Sequence, residues 1–295
     1  MSLFIQSVIN GLNQGAIYAL IALGYTMVYG IIRMINFAHG DFIMVGAYTL
    51  FYTVPLMIHQ GMPPWIAVIF AIIICTVVGV LVERIAYRPV RGEGSMSALI
   101  TALAMSLFLE NLAMVLFGAN PKSVTAIFNL PYITIFGAKL QEKYLLTIAI
   151  GILMMVGLQL FVKKTKLGKA MRAVPQDKEA SVLMGVNVNR IITTTFAIGS
   201  ALAAVAALMY CSTYPRCTTD MGSMMGLKAF IAAVLGGIGS IPGAMVGGII
   251  VGLVEIFVKV YVAPGWYEAI TYSLLIFVLL IKPSGILGKS VGEKV

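Results

Sequence analysis

The chain has 295 residues, of which 60% are hydrophobic and only 11% charged, whereas soluble domains carry about a quarter charged residues. Its formal net charge is +9, from 20 Lys and Arg against 11 Asp and Glu, and its mean hydropathy is +0.99. These values exclude a soluble enzyme, a disordered chain and a secreted disulfide scaffold; what remains is an all-α, polytopic transmembrane bundle, because the apolar residues run continuously and do not alternate as in a β-barrel.

The first apolar run, 3–32, precedes every basic residue, since Arg33 is the first. A cleavable signal would carry a basic leading region, so this run is expected to be a retained span. The stretch Arg33-Met34-Ile35-Asn36-Phe37-Ala38-His39-Gly40-Asp41 then sets Arg33, Asn36, His39 and Asp41 between two apolar runs. A charge at bilayer depth costs about 2.5–3.5 kcal/mol on insertion scales. The stretch therefore either reaches an interface or lines a polar cavity. In the first case Asn36 caps the next helix and Gly40 relieves a tight turn. In the second, this is a re-entrant break beside a translocation path. No metal is expected at His39: His59 is the only other histidine, and no Cys/His cluster accompanies it.

Runs at 41–58, 65–86 and 96–117 follow, with Cys75 a small apolar filler in the second of them and Arg84, Arg88 and Arg91 near its end. The connection 118–143 has Pro121, Pro131 and Gly137 as turn formers and carries Lys122, Lys139 and Lys143. After the run 144–162, the segment 163–190 holds Lys163, Lys164, Lys166, Lys169, Arg172, Lys178 and Arg190. Excess Lys and Arg mark cytoplasmic loops. Both basic stretches and the tail (Lys282, Lys289, Lys294) are thus expected inside, 118–143 outside and, with nine crossings, the N-terminus outside. Within the basic loop, Pro175 can open a short helix whose positive end suits Asp177 and Glu179. Ala180, Leu183 and Met184 fall at i, i+3, i+4 and form one apolar face, and Gly185 can end the helix. That face must be covered by the membrane surface, by the chain's own spans or by a groove on a cytoplasmic partner.

The last runs are 191–213, 224–239, 243–262 and 266–281, which brings the expectation to eight to ten membrane elements. The second break is Gly236-Gly237-Ile238-Gly239-Ser240-Ile241-Pro242-Gly243, where Pro242 forces the backbone open. Gly239, Gly243 and Gly247 are spaced by four, as are Gly248 and Gly252, so a bare stripe admits another helix backbone. Phe37–Gly46 aligns with Ser240–Ile249, which points to a duplication with half-repeats 1–118 and 144–282, each holding a broken helix. Cys211 and Cys217 are expected to be free thiols. Glu110 and Glu255 are either ion-coupling carboxylates or hydrogen-bonded residues facing the bundle. The only Gly-Lys-Ser, 288–290, has Pro283 where a phosphate loop needs glycine, so the chain is not expected to bind ATP by that motif.

Leu23-Gly24-Tyr25-Thr26-Met27-Val28-Tyr29-Gly30-Ile31-Ile32, Met34 to Gly40, Glu83-Arg84-Ile85-Ala86-Tyr87-Arg88-Pro89-Val90-Arg91, Ala233 to Ala244 and Pro283-Ser284-Gly285-Ile286-Leu287-Gly288 occur in that order. Together they resemble the membrane permease subunits of bacterial branched-chain amino acid ABC importers, in particular the shorter permease of the pair. The resemblance implies a single permease domain over 1–295 in the bacterial inner membrane, moving a hydrophobic amino acid inward by alternating access. It implies a second, similar permease, two cytoplasmic ATPase subunits and an external amino-acid-binding protein as partners, with membrane lipid around them and no nucleic acid. It implies no cofactor and no catalysis by this chain. Tyr25 then joins Asn36, His39, Gly40, Asp41, Gly239, Ser240 and Pro242 as expected substrate-path residues. The loop 163–190 becomes the coupling element, with Arg172, Asp177, Glu179, Ala180, Leu183, Met184 and Gly185 on it. Glu179-Ala180-Ser181 and Gly185 fit the loose Glu-Ala-Ala-x-x-x-Gly docking pattern of ABC permeases, with Ser for the second Ala and no downstream Ile-x-Leu-Pro. The rival reading is a self-sufficient secondary transporter or channel for small polar solutes, using Glu110 or Glu255.

Overall fold

Long apolar runs in lipid must satisfy their backbone groups internally, and a helix does so within one segment. In the computed structural model, which describes residues 2–32, 34–128, 132–135 and 138–288, nearly every expected run is a helix. Arg33, Pro131, Gly137, Lys289 and Lys294 lie outside the described residues. In chain order the helices begin with α1 (Ser2–Ile32), a 3-10 turn (Phe37–His39), α2 (Asp41–His59) and α3 (Ile66–Val82). A π-turn (Glu83–Tyr87) then leads into α4 (Arg88–Val90), followed by α5 (Ser95–Phe117), α6 (Glu142–Lys164), α7 (Lys166–Ala173), α8 (Lys178–Leu183) and α9 (Val188–Thr213). The last are α10 (Met221–Gly236), α11 (Ile241–Tyr261) and α12 (Tyr267–Ile281).

Among the described residues, eight helical segments are long and apolar enough to cross a membrane, and α10 is a shorter apolar helix of 16 residues. At 1.5 Å per residue α10 reaches about 24 Å, short of a hydrocarbon core of about 30 Å. The connection 118–143 is more than a string of turns. Its β1 (Lys122–Ser123) pairs antiparallel with β4 (Arg216–Cys217), and β2 (Tyr132–Ile135) with β3 (Ala138–Gln141). Backbone pairing of β1 with β4 ties this connection to the α9–α10 link at one end of the bundle.

Burial differs widely among the spans, from 83% of the apolar stretch of α1 and 72% of that of α9 to 6% of that of the last helix. The axis of the bundle is α1, packed most densely on α11 and flanked by α9, α10 and α6, while α2 and α3 pack on α9. Large apolar side chains such as Ile73, Leu107, Val115, Leu153 and Leu280 point outward, as lipid-facing positions do. Alternating direction of the spans places the second break, the segment 84–91, the basic loop and residues 282–288 at the end opposite β1 and β4, with the first break starting from that end and reaching back at Gly40 to the start of α10. Two contacts agree with this: the Arg91 guanidinium donates to Asn189 Oδ1 at 3.1 Å, and Ile286 N–H donates to the Leu235 carbonyl at 2.8 Å. Cys75, Cys211 and Cys217 are buried free thiols.

Candidate functional site

The two helix breaks meet. A cleft between them is lined by Tyr25 and Tyr29 of α1, Ile35 and Asn36 of the first break, Phe230 and Ala233 of α10, and Ile238 of the second. It leaves room for about one water molecule, so the bundle is closed here. The Tyr25 hydroxyl donates to the Phe37 carbonyl at 3.5 Å, and its ring meets the His39 imidazole edge-on at 4.8 Å. Of the substrate-path expectations, Tyr25 and Asn36 line the cleft directly.

The other polar residues of the first break lie behind it. Asn36, His39 and Asp41 are all buried. Asn36 does not cap a helix, because its Oδ1 is engaged elsewhere: it accepts a 2.5 Å hydrogen bond from the Tyr87 hydroxyl. The Asn36 amide nitrogen, both His39 ring nitrogens and both Asp41 oxygens make no hydrogen bond of good geometry among the described residues, although the Ile21 backbone lies beside His39 and the Ser106 hydroxyl beside Asp41. Ser106 and Glu110 of α5 are polar neighbours of Asp41. Buried polar groups are nearly always paired in folded proteins, so three such residues in one short stretch call for an explanation. Gly40 does not relieve a turn either, since its φ is −59°, ordinary for a helix. Its reason is steric: a Cβ there would collide with the Gly222 carbonyl and sit 2.8 Å from Gly226 Cα. The same holds for Gly222, whose Cβ would lie 2.7 Å from Asp41 Cα. The first break is thus pressed against α10 backbone to backbone.

At the second break the chain turns through Gly237 (φ 102°) and Gly239 (φ 92°), both left-handed conformations that favour glycine. Ser240 caps α11, its hydroxyl accepting from Gly243 N–H at 3.2 Å. Pro242 opens no helix from within; it stands in the first turn of α11, where the missing N–H would be unpaired anyway. The segment after α12 closes the end of α10, with Leu287 N–H donating to the Gly236 carbonyl at 3.0 Å. The glycine stripe has two faces. Gly247 lies against the α10 backbone, where a Cβ would be 2.9 Å from Gly236 N, and Gly243 faces the Gly236 carbonyl. Gly248 and Gly252 lie against α1, a Cβ at Gly248 falling 2.6 Å from Ala19 Cα and one at Gly252 colliding with Gly15.

The basic loop folds into α7 and α8. Pro175 does not open the second helix but sits in the turn between them, because Asp177 supplies the cap: its Oδ1 accepts from Ala180 N–H at 2.9 Å. Glu179 lies in the first turn of α8 and Arg172 in the last turn of α7, where its guanidinium donates to the Lys163 carbonyl at 3.3 Å. The helix stops in a Schellman arrangement, with Gly185 (φ 80°) N–H donating to Val182 O and Val186 N–H to Ser181 O. Leu183 is 88% and Met184 84% exposed, and Ala180 is exposed beside them. Among the described residues, therefore, neither the spans nor the loops cover the apolar face of α8.

Sequence reasoning missed two ionic clusters. Glu255, buried on α11, accepts from the Tyr18 hydroxyl at 2.6 Å, Lys228 Nζ at 3.2 Å and Lys259 Nζ at 2.5 Å. Both ammonium groups also stand over the Tyr267 ring, at 4.5 and 4.0 Å from its centre. Glu255 is thus a bundle-facing, fully engaged carboxylate. The signal available was Lys228, a single charge within an apolar run. In the second cluster, buried Glu83 forms an ion pair with Arg91 and accepts from the Thr193 hydroxyl at 2.8 Å. Burial pushes the Arg91 guanidinium down to about 10, which leaves it protonated at neutral pH.

A family model described as "Branched-chain amino acid transport system / permease component" matches residues 7–279. The high-affinity branched-chain amino acid transport system permease protein BraD of Pseudomonas aeruginosa is 43% identical over 303 residues, spanning 99% of this chain and 98% of its own. LivH of Escherichia coli, which carries the same description, is 41% identical over 301 residues with the same coverage. The ribose import permease protein RbsC of Haemophilus influenzae is 25% identical over 94% of this chain and 84% of its own. Among solved structures, PsaBC from Streptococcus pneumoniae in complex with Fab aligns at a TM-score of 0.47 and 16% identity, over 93% of this chain and 91% of that one. With the family match running from the first span to the last, the chain belongs to the permease family of branched-chain amino acid transport systems.

Proposed function

We propose that the chain is the membrane permease subunit of an ATP-binding-cassette importer that carries branched-chain amino acids inward. The observation that carries this reading is the convergence of two helix breaks on one closed cleft, at the same end of the bundle as an exposed apolar docking helix. Broken helices at a narrow point provide a gate, because their free backbone groups and glycines can rearrange without unmaking a whole span. The aromatic wall of Tyr25 and Phe230 suits an apolar side chain, and Asn36 offers a polar contact at the same place. The face made by Ala180, Leu183 and Met184 suits a groove on a cytoplasmic ATPase.

In this reading the basic loop and the C-terminus are cytoplasmic, hydrolysis occurs on two separate ATPase subunits, and this chain is no enzyme. A second permease completes the pathway, an external binding protein delivers the amino acid, and residues 1–118 and 144–282 act as half-repeats. The full engagement of Glu255 by two lysines and a tyrosine speaks against its use as an ion-coupling carboxylate. The test is reconstitution in proteoliposomes. Uptake of leucine, isoleucine or valine should require the ATPases, the binding protein and ATP together. Uptake by this chain alone, driven by an ion gradient, would instead support a secondary transporter.

A further inference from the structure

The stretch Glu83 to Arg91 sits between the docking loop and the cleft, and neither role accounts for it. Its π-turn, Glu83–Tyr87, presents two side chains to α9: Glu83 meets Thr193, and the Tyr87 ring meets Phe196 with ring centres 5.3 Å apart. Such turns inside α-helices recur at functional positions. From Tyr87 the hydroxyl reaches across to Asn36 Oδ1 at 2.5 Å. From the other side, α9 starts directly after the Schellman turn of α8, with Asn187 capping it by accepting from Arg190 N–H at 3.0 Å. Two residues further on, Asn189 accepts from the Arg91 guanidinium at 3.1 Å, and Arg91 pairs with Glu83. Chain continuity and polar contacts in alternation thus join α8 to Asn36: α8 runs into α9, α9 bonds Arg91 and Glu83, and the π-turn carries Glu83 to Tyr87, which bonds Asn36.

We propose that Tyr87 latches the first break shut at the cytoplasmic mouth, and that Glu83 and Arg91 are positioning residues that tie this latch to the docking helix. The proposal rests on reading the chain as an importer permease. Glu83 and Tyr87 belong to one π-turn, and Tyr87 is buried with its hydroxyl bonded, among the described residues, to Asn36. A displacement of α9 by a docked ATPase must therefore either carry the Tyr87 hydroxyl with it or break the Glu83–Thr193 and Arg91–Asn189 contacts. In the first case the cleft wall moves with the docking helix, and docking and gating are one motion.

The experiment uses the complete transporter in proteoliposomes, with ATP hydrolysis, substrate uptake and passive efflux of preloaded substrate measured together. Tyr87→Phe removes the hydroxyl and keeps the ring. It should assemble normally and hydrolyse ATP. Uptake per ATP should fall about fivefold, the effect of losing one neutral hydrogen bond, and efflux without ATP should rise. Asn36→Ala should give the same defect, and the double variant no more than either single one, because both remove one contact. Thr193→Val removes the α9 contact of Glu83 and keeps the buried Glu83–Arg91 pair; it should lower uptake per ATP while leaving the resting leak near that of the parent. A purely structural role would lower yield without changing the uptake-to-hydrolysis ratio. An unchanged ratio and leak in Tyr87→Phe, additive defects in the double variant, or failure of Tyr87→Phe to assemble would each overturn the latch. Absence of ATP-driven uptake in the parent transporter would instead overturn the importer reading itself.

Discussion

Gly252 carries no side chain because the Gly15 backbone of α1 occupies the space a Cβ would need. Forcing an atom into such a contact costs about 1–3 kcal/mol. Gly252→Ala should therefore lower the apparent melting temperature of the purified protein by several degrees. Gly157→Ala is the control, because nothing lies within 4 Å of a Cβ at that position of α6; it should melt at or above the parent temperature. Equal melting of both variants would mean that α1 and α11 are not in close contact. Glu255 makes a second case at this scale. Removing its charge strands the buried Lys228 ammonium, and breaking a buried pair from one side costs about 3–5 kcal/mol. Glu255→Gln should thus lose folded yield steeply, and adding Lys228→Met should restore much of it, since the stranded charge is then gone. No recovery in the double variant would assign the loss to Tyr18 or Lys259 instead.

In the proposed transporter the docking element is α8. Its cap, its first-turn acid and its glycine stop are local, so its ends are set by its own sequence, while the buried Ser181 holds it to the bundle. Leu183→Asp alters no span and should leave insertion intact, yet it would place a charge without a partner in any apolar contact made by that face. The expected outcome is loss of ATPase co-purification and of substrate-stimulated hydrolysis. Normal pull-down with normal uptake would return α8 to the role of a basic loop resting on the membrane surface. Asp177→Ala should act more mildly, weakening the helix by about 1 kcal/mol through loss of its cap. A mere reduction in ATPase affinity, measured by titration, is its expected signature.

At the scale of the molecule the question is whether the closed cleft opens. Cysteines placed at Asn36 and His39 should react with small water-soluble thiol reagents in one transport state and resist them in another. The background is quiet, because all three native cysteines are buried, and burial pushes the Cys217 thiol up to about 11, so it stays protonated at neutral pH. Labelling that ignores substrate, binding protein and nucleotide would show that the breaks do not move during transport.

Hydropathy alone determined the class, the order of spans and the basic end, because the cost of burying a charge or an unpaired amide in lipid is paid residue by residue and needs no fold. The local stops and starts around Asp177 and Gly185 were legible for the same reason: capping acts over three or four residues. Pro175 and Pro242 were misplaced by a few residues, since proline is compatible with both a turn and the first turn of a helix. Asn36 and Gly40 were assigned local duties that they do not have. Their partners, Tyr87 and the glycines of α10, lie 51 and about 180 residues away in the chain, and no sequence window reaches them. The meeting of the two breaks in one cleft, the capture of Lys228 by Glu255 and the clamp of Arg91 on α9 were decided only by tertiary packing, because each requires side chains from different spans to approach within a few ångströms.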